Sequence, residues 1–174
     1  MMGLTDAERR VCDAIAGSVD DLVALASELI GFDTTARNPG DAPRDERALQ
    51  EVLASRLRDV GAEIDLFEPS SAAMQGKPLV PPGLDFDGRP QLIARRRGRG
   101  GGRTLLLNGH IDVVSAEPRE EWTSDPFSAE VRDGLLYGRG SCDMKGGIAA
   151  MVFAVEALAA TGVELAGDIV VATN

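Results

Sequence analysis

One histidine, one tryptophan, one tyrosine and two cysteines stand among 174 residues, and each scarcity narrows what the chain can do. Cys12 and Cys142 are too few and too far apart for a disulfide framework, so a reducing compartment is expected. No run of about eighteen apolar residues occurs, and charges are scattered through Met1 to Asp20, where a signal peptide would need an apolar stretch. A cytoplasmic protein with no membrane partner is the expectation. Basic residues are the minority: 18 Lys and Arg face 28 Asp and Glu, for a formal charge of -10. That balance argues against a nucleic-acid partner, which needs a basic stripe to displace counterions from phosphates. The one basic cluster, Arg95 to Arg103, is interleaved with Gly98, Gly100, Gly101 and Gly102 and reads as the turn of a solvated hairpin. Any imidazole chemistry must run through His110.

What is present is an ordinary globular composition, 44% hydrophobic and 26% charged, in a chain of one-domain length. Leu22, Leu25, Ala26, Leu29 and Ile30 recur at helical spacing, with Ser18 or Asp20 as the cap and Gly31 as the stop. Leu49, Val52, Leu53, Leu57 and Val60 predict a second helix that ends at Gly61. Ala62, Ile64 and Leu66 then alternate with charged residues, as in a strand with one wet face. From Glu68 to Pro90 there are five prolines and no periodicity, so a long loop is expected. Gln91–Arg97 and Arg103–Gly109 flank the glycine cluster and read as a hairpin. The apolar Thr104–Leu107 predicts that its second strand is central in the sheet. Another loop, Ile111–Gly134, holds Trp122 and Phe127 as packing residues. Lys145–Ala160 is apolar nearly all round, as in a helix buried against a sheet, and Asp168–Thr173 reads as a last buried strand.

In extended backbone residues i and i+2 point the same way, so His110 and Asp112 project together from a strand end. A metal-bound imidazole commonly donates its second ring N–H to a carboxylate, and Asp112 is placed for that. His110 could equally be a lone histidine bonded to its neighbour. Asp143 precedes a helix and could be its N-cap, a metal ligand, or both at once, one oxygen for each. Cys142 is either a buried inert thiol or a nucleophile activated by His110.

Taken jointly, Gly109-His-Ile-Asp-Val-Val114, Trp122 with Asp125-Pro-Phe127, Gly134 and Tyr137-Gly-Arg-Gly-Ser-Cys-Asp-Met-Lys-Gly-Gly147 strongly resemble the M20 family of metallopeptidases and amidohydrolases. The resemblance implies a three-layer α/β/α sandwich with a mixed central sheet, the whole chain being the amino-terminal part of a catalytic domain without the family's lid or dimerisation domain. It implies a two-zinc site, cobalt being possible, in which His110 binds one metal, Asp143 bridges both and Asp112 supports His110. It implies hydrolysis of the amide bond of N-acyl amino acids, with the acetylornithine deacetylase and desuccinylase branch favoured over dipeptidases and carboxypeptidases, and a homodimer in full-length form. A non-catalytic remnant of such an enzyme is the reading from another class. The family's Glu-Glu pair, further acidic ligand and second histidine have no counterpart up to Asn174. A catalytic zinc normally takes three protein ligands and a water. The chain is therefore expected to be part of a longer hydrolase, binding zinc weakly and hydrolysing little alone.

Overall fold

The structure is a computed structural model describing residues 3–38, 40–78 and 80–174. Helix α1, Asp6–Gly17, starts at a capping box in which the Thr5 hydroxyl accepts from Glu8 N and the Glu8 carboxylate accepts from Thr5 N. This helix was not foreseen, although the Thr-x-x-Glu signature is present. Its apolar face, Ala7, Val11, Ala14 and Ile15, is only half-buried, and none of its residues is fully buried. Helices α2 (Val19–Ile30) and α3 (Glu46–Asp59) follow where the spacing predicted them. They bury Leu25, Leu29 and Ile30 and Leu49, Leu53 and Leu57, respectively.

Strand β1, Glu63–Phe67, alternates as expected, with Ile64 and Leu66 packed against the core. Among its described residues the proline-rich stretch is irregular apart from a single turn, α4, at Ser71–Met74. Strands β2 (Gln91–Arg96) and β3 (Leu105–Gly109) come next, then a small antiparallel pair, β4 (Glu130–Arg132) and β5 (Leu135–Tyr137). Helix α5, Gly146–Ala160, and strand β6, Ile169–Thr173, complete the fold.

The main sheet is mixed, in the order β1-β2-β6-β3, with β3 parallel to β6 and the other pairs antiparallel. Two expectations are corrected by this order. Strands β2 and β3 do not form a hairpin, because β6 lies between them. Strand β3 is an edge strand of the described sheet, and Leu105 and Leu106 are 53% and 61% exposed.

The glycine cluster explains how β6 enters. Arg99 N and Gly100 N donate to the carbonyls of Leu165 and Ala166, and Gly98 N donates to the Asp168 carboxylate. The two backbones run so close that a Cβ on Gly167 would lie 1.9 Å from the Arg103 carbonyl oxygen. One on Gly98 would lie 2.3 Å from the Gly167 oxygen. These glycines seat the approach to β6 instead of merely turning the chain. The arginines around them are paired: Arg95 with Asp168, Arg97 with Glu63.

The α/β core sits between the sheet and the helices. Leu92, Ala94, Ile169 and Val171 face α3 and α5, and α2 packs on α5. Contact on several sides accounts for the nearly uniform apolarity of α5. Its one charged residue, Glu156, is held by a bidentate pair with Arg56 at 2.9 and 3.0 Å. The opposite sheet face is open at Ile93 and Leu106. At the far end of β6, buried Gln50 donates to the Thr173 carbonyl at 2.9 Å and accepts from its hydroxyl. That exchange ties α3 to the end of the sheet where the histidine lies.

Candidate metal centre

Beyond β3 the chain stays extended for four more residues. Ile111 N donates to the carbonyl of Asn174, Val113 N to that of Thr34, and Ala36 N to that of Val113. Ile111 and Val113 are each 3% exposed, so the alternation that sinks them in the core turns His110 and Asp112 outward together. The Thr34 hydroxyl, fully buried, clamps the same segment by donating to the Ile111 carbonyl.

Asp143 reaches the histidine from a different part of the chain. Gly140, at φ 81, starts an irregular turn over Ser141–Lys145 in which Lys145 N closes back onto the Gly140 carbonyl. A side chain at Gly140 would strike Val113. Lys145 is wholly buried, and its ammonium donates to the Phe32 carbonyl at 2.6 Å, pinning the turn to the end of α2. Burial lowers the Lys145 pKa to about 8, against the upward pull of Asp33 and Asp45. This buried lysine was not foreseen; a single charge ahead of an apolar helix is a faint signal. Trp122 fixes the facing loop as expected, donating from Nε1 to the Ala116 carbonyl and carrying Arg139 over its ring.

His110 thus stands between two carboxylates. Its Nδ1 lies 3.1 Å from Asp112 Oδ1 and 3.0 Å from the Asp112 carbonyl, and its Nε2 lies 3.0 Å from Asp143 Oδ1. Partial burial pulls the His110 pKa down, but the bond to Asp143, the Asp112 carbonyl and both negative charges outweigh it and leave it raised. Asp143 makes no capping bond to α5; its Oδ1 faces the His110 ring instead. The three residues line a cleft of about 450 Å³ with Arg139, Ser141 and Cys142. Cys142 is exposed, contrary to the buried thiol expected. Both imidazole nitrogens already face Asp112 and Asp143, which leaves no base aimed at its sulfur.

An imidazole beside an exposed carboxylate offers donors of the kind a divalent metal takes, with Asp112 behind the ring at Nδ1. The fit is partial. Among the described residues no group of three or more His, Cys, Asp and Glu side chains could hold a metal ion.

Comparison with known proteins places the whole arrangement. Residues 106–174, which carry every one of these groups, match the model of peptidase family M20/M25/M40. The chain is 31% identical over 153 residues to an N-formyl-4-amino-5-aminomethyl-2-methylpyrimidine deformylase of Bacillus subtilis, across 87% of this chain and 31% of the relative. It is 46% identical over 112 residues to a succinyl-diaminopimelate desuccinylase of Leptothrix cholodnii, across 64% of this chain and 26% of the relative. The chain belongs to the M20 family. Among solved structures, human carnosine dipeptidase 1 superposes with a TM-score of 0.77 at 26% identity, covering 95% of this chain and 34% of that one. The M20 chain described here spans about a third of the length of the curated relatives it matches.

Proposed function

We propose that the cleft is part of the active site of a metal-dependent hydrolase acting on the amide bond of N-acyl amino acids or similar small molecules. The observation that carries this reading is one imidazole held at Nδ1 by Asp112 and presented through Nε2 to Asp143, at the carboxyl end of a mixed sheet where α/β folds bind their ligands. His110 and Asp143 would hold zinc, or cobalt, which suits the same nitrogen and carboxylate donors. When bound, the metal lowers the pKa of a coordinated water and polarises the scissile carbonyl. Asp112 would hold the ring with Nδ1–H toward itself, so that Nε2, once free of its proton, could serve as the donor to a metal. Asp143, largely exposed beyond its contact with His110, would be available to a second metal as well.

The names of the relatives support acyl-amide substrates, and within that class we favour an acetylornithine deacetylase-like activity. The superposition on a dipeptidase supports a peptide substrate as the second reading. Two protein ligands are fewer than the three a catalytic zinc normally takes, so these 174 residues bind zinc weakly and turn over little by themselves. The remaining elements of the family's site, the lid domain and the homodimer belong to the full-length form under this reading.

The test is calorimetric zinc titration of the chain and of His110→Ala, with an amidase assay on N-acetylated amino acids. Weak binding that disappears in His110→Ala supports the assignment. Zinc binding of undiminished strength in that variant sinks it.

A further inference from the structure

The two residues of the candidate metal pair stand 33 positions apart, His110 on the extension of β3 and Asp143 in the turn over Ser141–Lys145. The contact of His110 with Asp112 is internal to one extended stretch, where alternation alone brings the two together. The contact with Asp143 needs strand and turn to be held in register. One short segment touches both.

That segment is Phe32–Ala36, which follows α2. On the strand side, the Thr34 carbonyl accepts from Val113 N, the Thr34 hydroxyl donates to the Ile111 carbonyl at 2.5 Å, and Ala36 N donates to the Val113 carbonyl at 2.8 Å. On the turn side, the Phe32 carbonyl accepts from Lys145 Nζ at 2.6 Å. The backbone N–H groups of Ser141, Lys145 and Gly146 close locally, on the carbonyls of Gly138, Gly140 and Ser141. Among the described residues, the lysine ammonium therefore makes the one hydrogen bond, besides the His110 contact, that ties the turn to anything but the helix it leads into. The segment itself is anchored to the start of α3: Asp33 N donates to Asp45 Oδ2 at 2.9 Å, and the Asp33 carboxylate accepts from Thr35 and Arg44. Thr34 and Lys145 are both fully buried, so water does not replace either bond when it is removed.

We propose that Lys145 is a positioning residue of the metal pair: its bond to Phe32 holds the turn carrying Asp143 in register with the strand end carrying His110, and Thr34 completes the tie from the other side. The consequence for zinc rests on the metal-site reading above, whereas the consequence for the metal-free ring does not. A lysine held for stability alone would behave differently, because replacing a buried charge by an apolar side chain of similar volume is often neutral or stabilising. Asp33 and Asp45, the carboxylates whose charge acts on Lys145, keep partners of their own when it is gone. Lys145→Met should thus leave the chain folded while freeing Asp143 from the ring.

Because the chain holds a single histidine, its imidazole N–H signals in proton NMR belong to His110. The experiment records them for the metal-free chain where both ring nitrogens carry protons, with circular dichroism and denaturant midpoints to establish folding, and adds a calorimetric zinc titration. The parent should show both signals. In Lys145→Met the Nε2–H signal should be lost to exchange with water while the Nδ1–H signal, held by Asp112, persists, and zinc affinity should fall about 10- to 100-fold. Thr34→Val should do the same, and Thr34→Ser, which keeps the hydroxyl, should restore the parent spectrum. Retention of both signals in folded Lys145→Met, or loss of both together, would overturn the proposal, as would the absence of the Nε2–H signal from the parent. Should Lys145→Met fail to fold, the two Thr34 variants decide by the same signals. A parent that shows both signals but binds no zinc would count against the metal-site reading alone, the spectra still deciding for Lys145.

Discussion

His110 makes both of its ring contacts to carboxylates, so a proton and a metal compete for the same position. The raised pKa favours the protonated ring, and a metal needs the neutral one. Zinc affinity should therefore fall as the pH drops through the imidazole's range. Replacing Asp112 by alanine should weaken zinc binding about 10- to 100-fold, because the ring loses its orienting partner; calorimetry at fixed pH measures this directly. A second prediction concerns Asp33, which accepts from Thr35 N, the Thr35 hydroxyl and Arg44. Burial raises its pKa, but those bonds prevail and hold it below the usual aspartate value. A depressed folded-state pKa means stability that is present above about pH 4 and lost as the pH falls through the folded-state value. Asp33→Asn should flatten that acid limb in denaturation curves taken between neutral and strongly acidic pH. An unchanged limb would show that the Asp33 bonds do not survive in solution.

Among the elements, helices α2 and α3 and strand β1 were legible because one-sided burial imposes a period, carried by Leu25, Leu53 and Ile64, and α5 and β6 because their runs are apolar throughout. Strand order was not. The residues between Arg96 and Leu105 have turn chemistry, and local chemistry cannot reveal that a segment about 70 residues downstream will occupy the gap; Arg95 and Asp168, which clasp across it, are 73 positions apart. The same division holds at the site. The joint projection of His110 and Asp112 follows from strand alternation, whereas the meeting of His110 with Asp143 depends on packing and was reached through resemblance. Lys145 escaped because a buried ammonium looks like any surface lysine in one dimension. Gly167 gives the element-scale prediction. A methyl at 1.9 Å from a backbone oxygen cannot be accommodated without moving a strand, so Gly167→Ala should destabilise the chain by more than about 2 kcal/mol, read from denaturant midpoints.

For the whole molecule, the open edge at β3 matters more than any single contact. Leu105 and Leu106 stand exposed on a strand whose outer backbone groups have no neighbour in the described sheet. Unprotected apolar edges invite pairing with another chain. Leu106→Lys should lower self-association in light scattering at high concentration while leaving thermal stability within about 0.5 kcal/mol of the parent. Stronger association in the variant would show that the edge is not the contact. The formal charge of -10 opposes association generally, so the effect should be clearest at high salt, where that repulsion is screened.

The glycine seat also sets an order of events. Strands β2 and β3 touch β6 and not each other, so neither gains its inner partner until the chain has been made past residue 168. During synthesis, β3 must wait unpaired while some sixty further residues emerge, at roughly 5–20 residues per second. Sheet assembly is thus a late, long-range event, and the nascent chain passes through an interval of several seconds in which the apolar run Leu105–Leu107 is available to chaperones and to its neighbours alike.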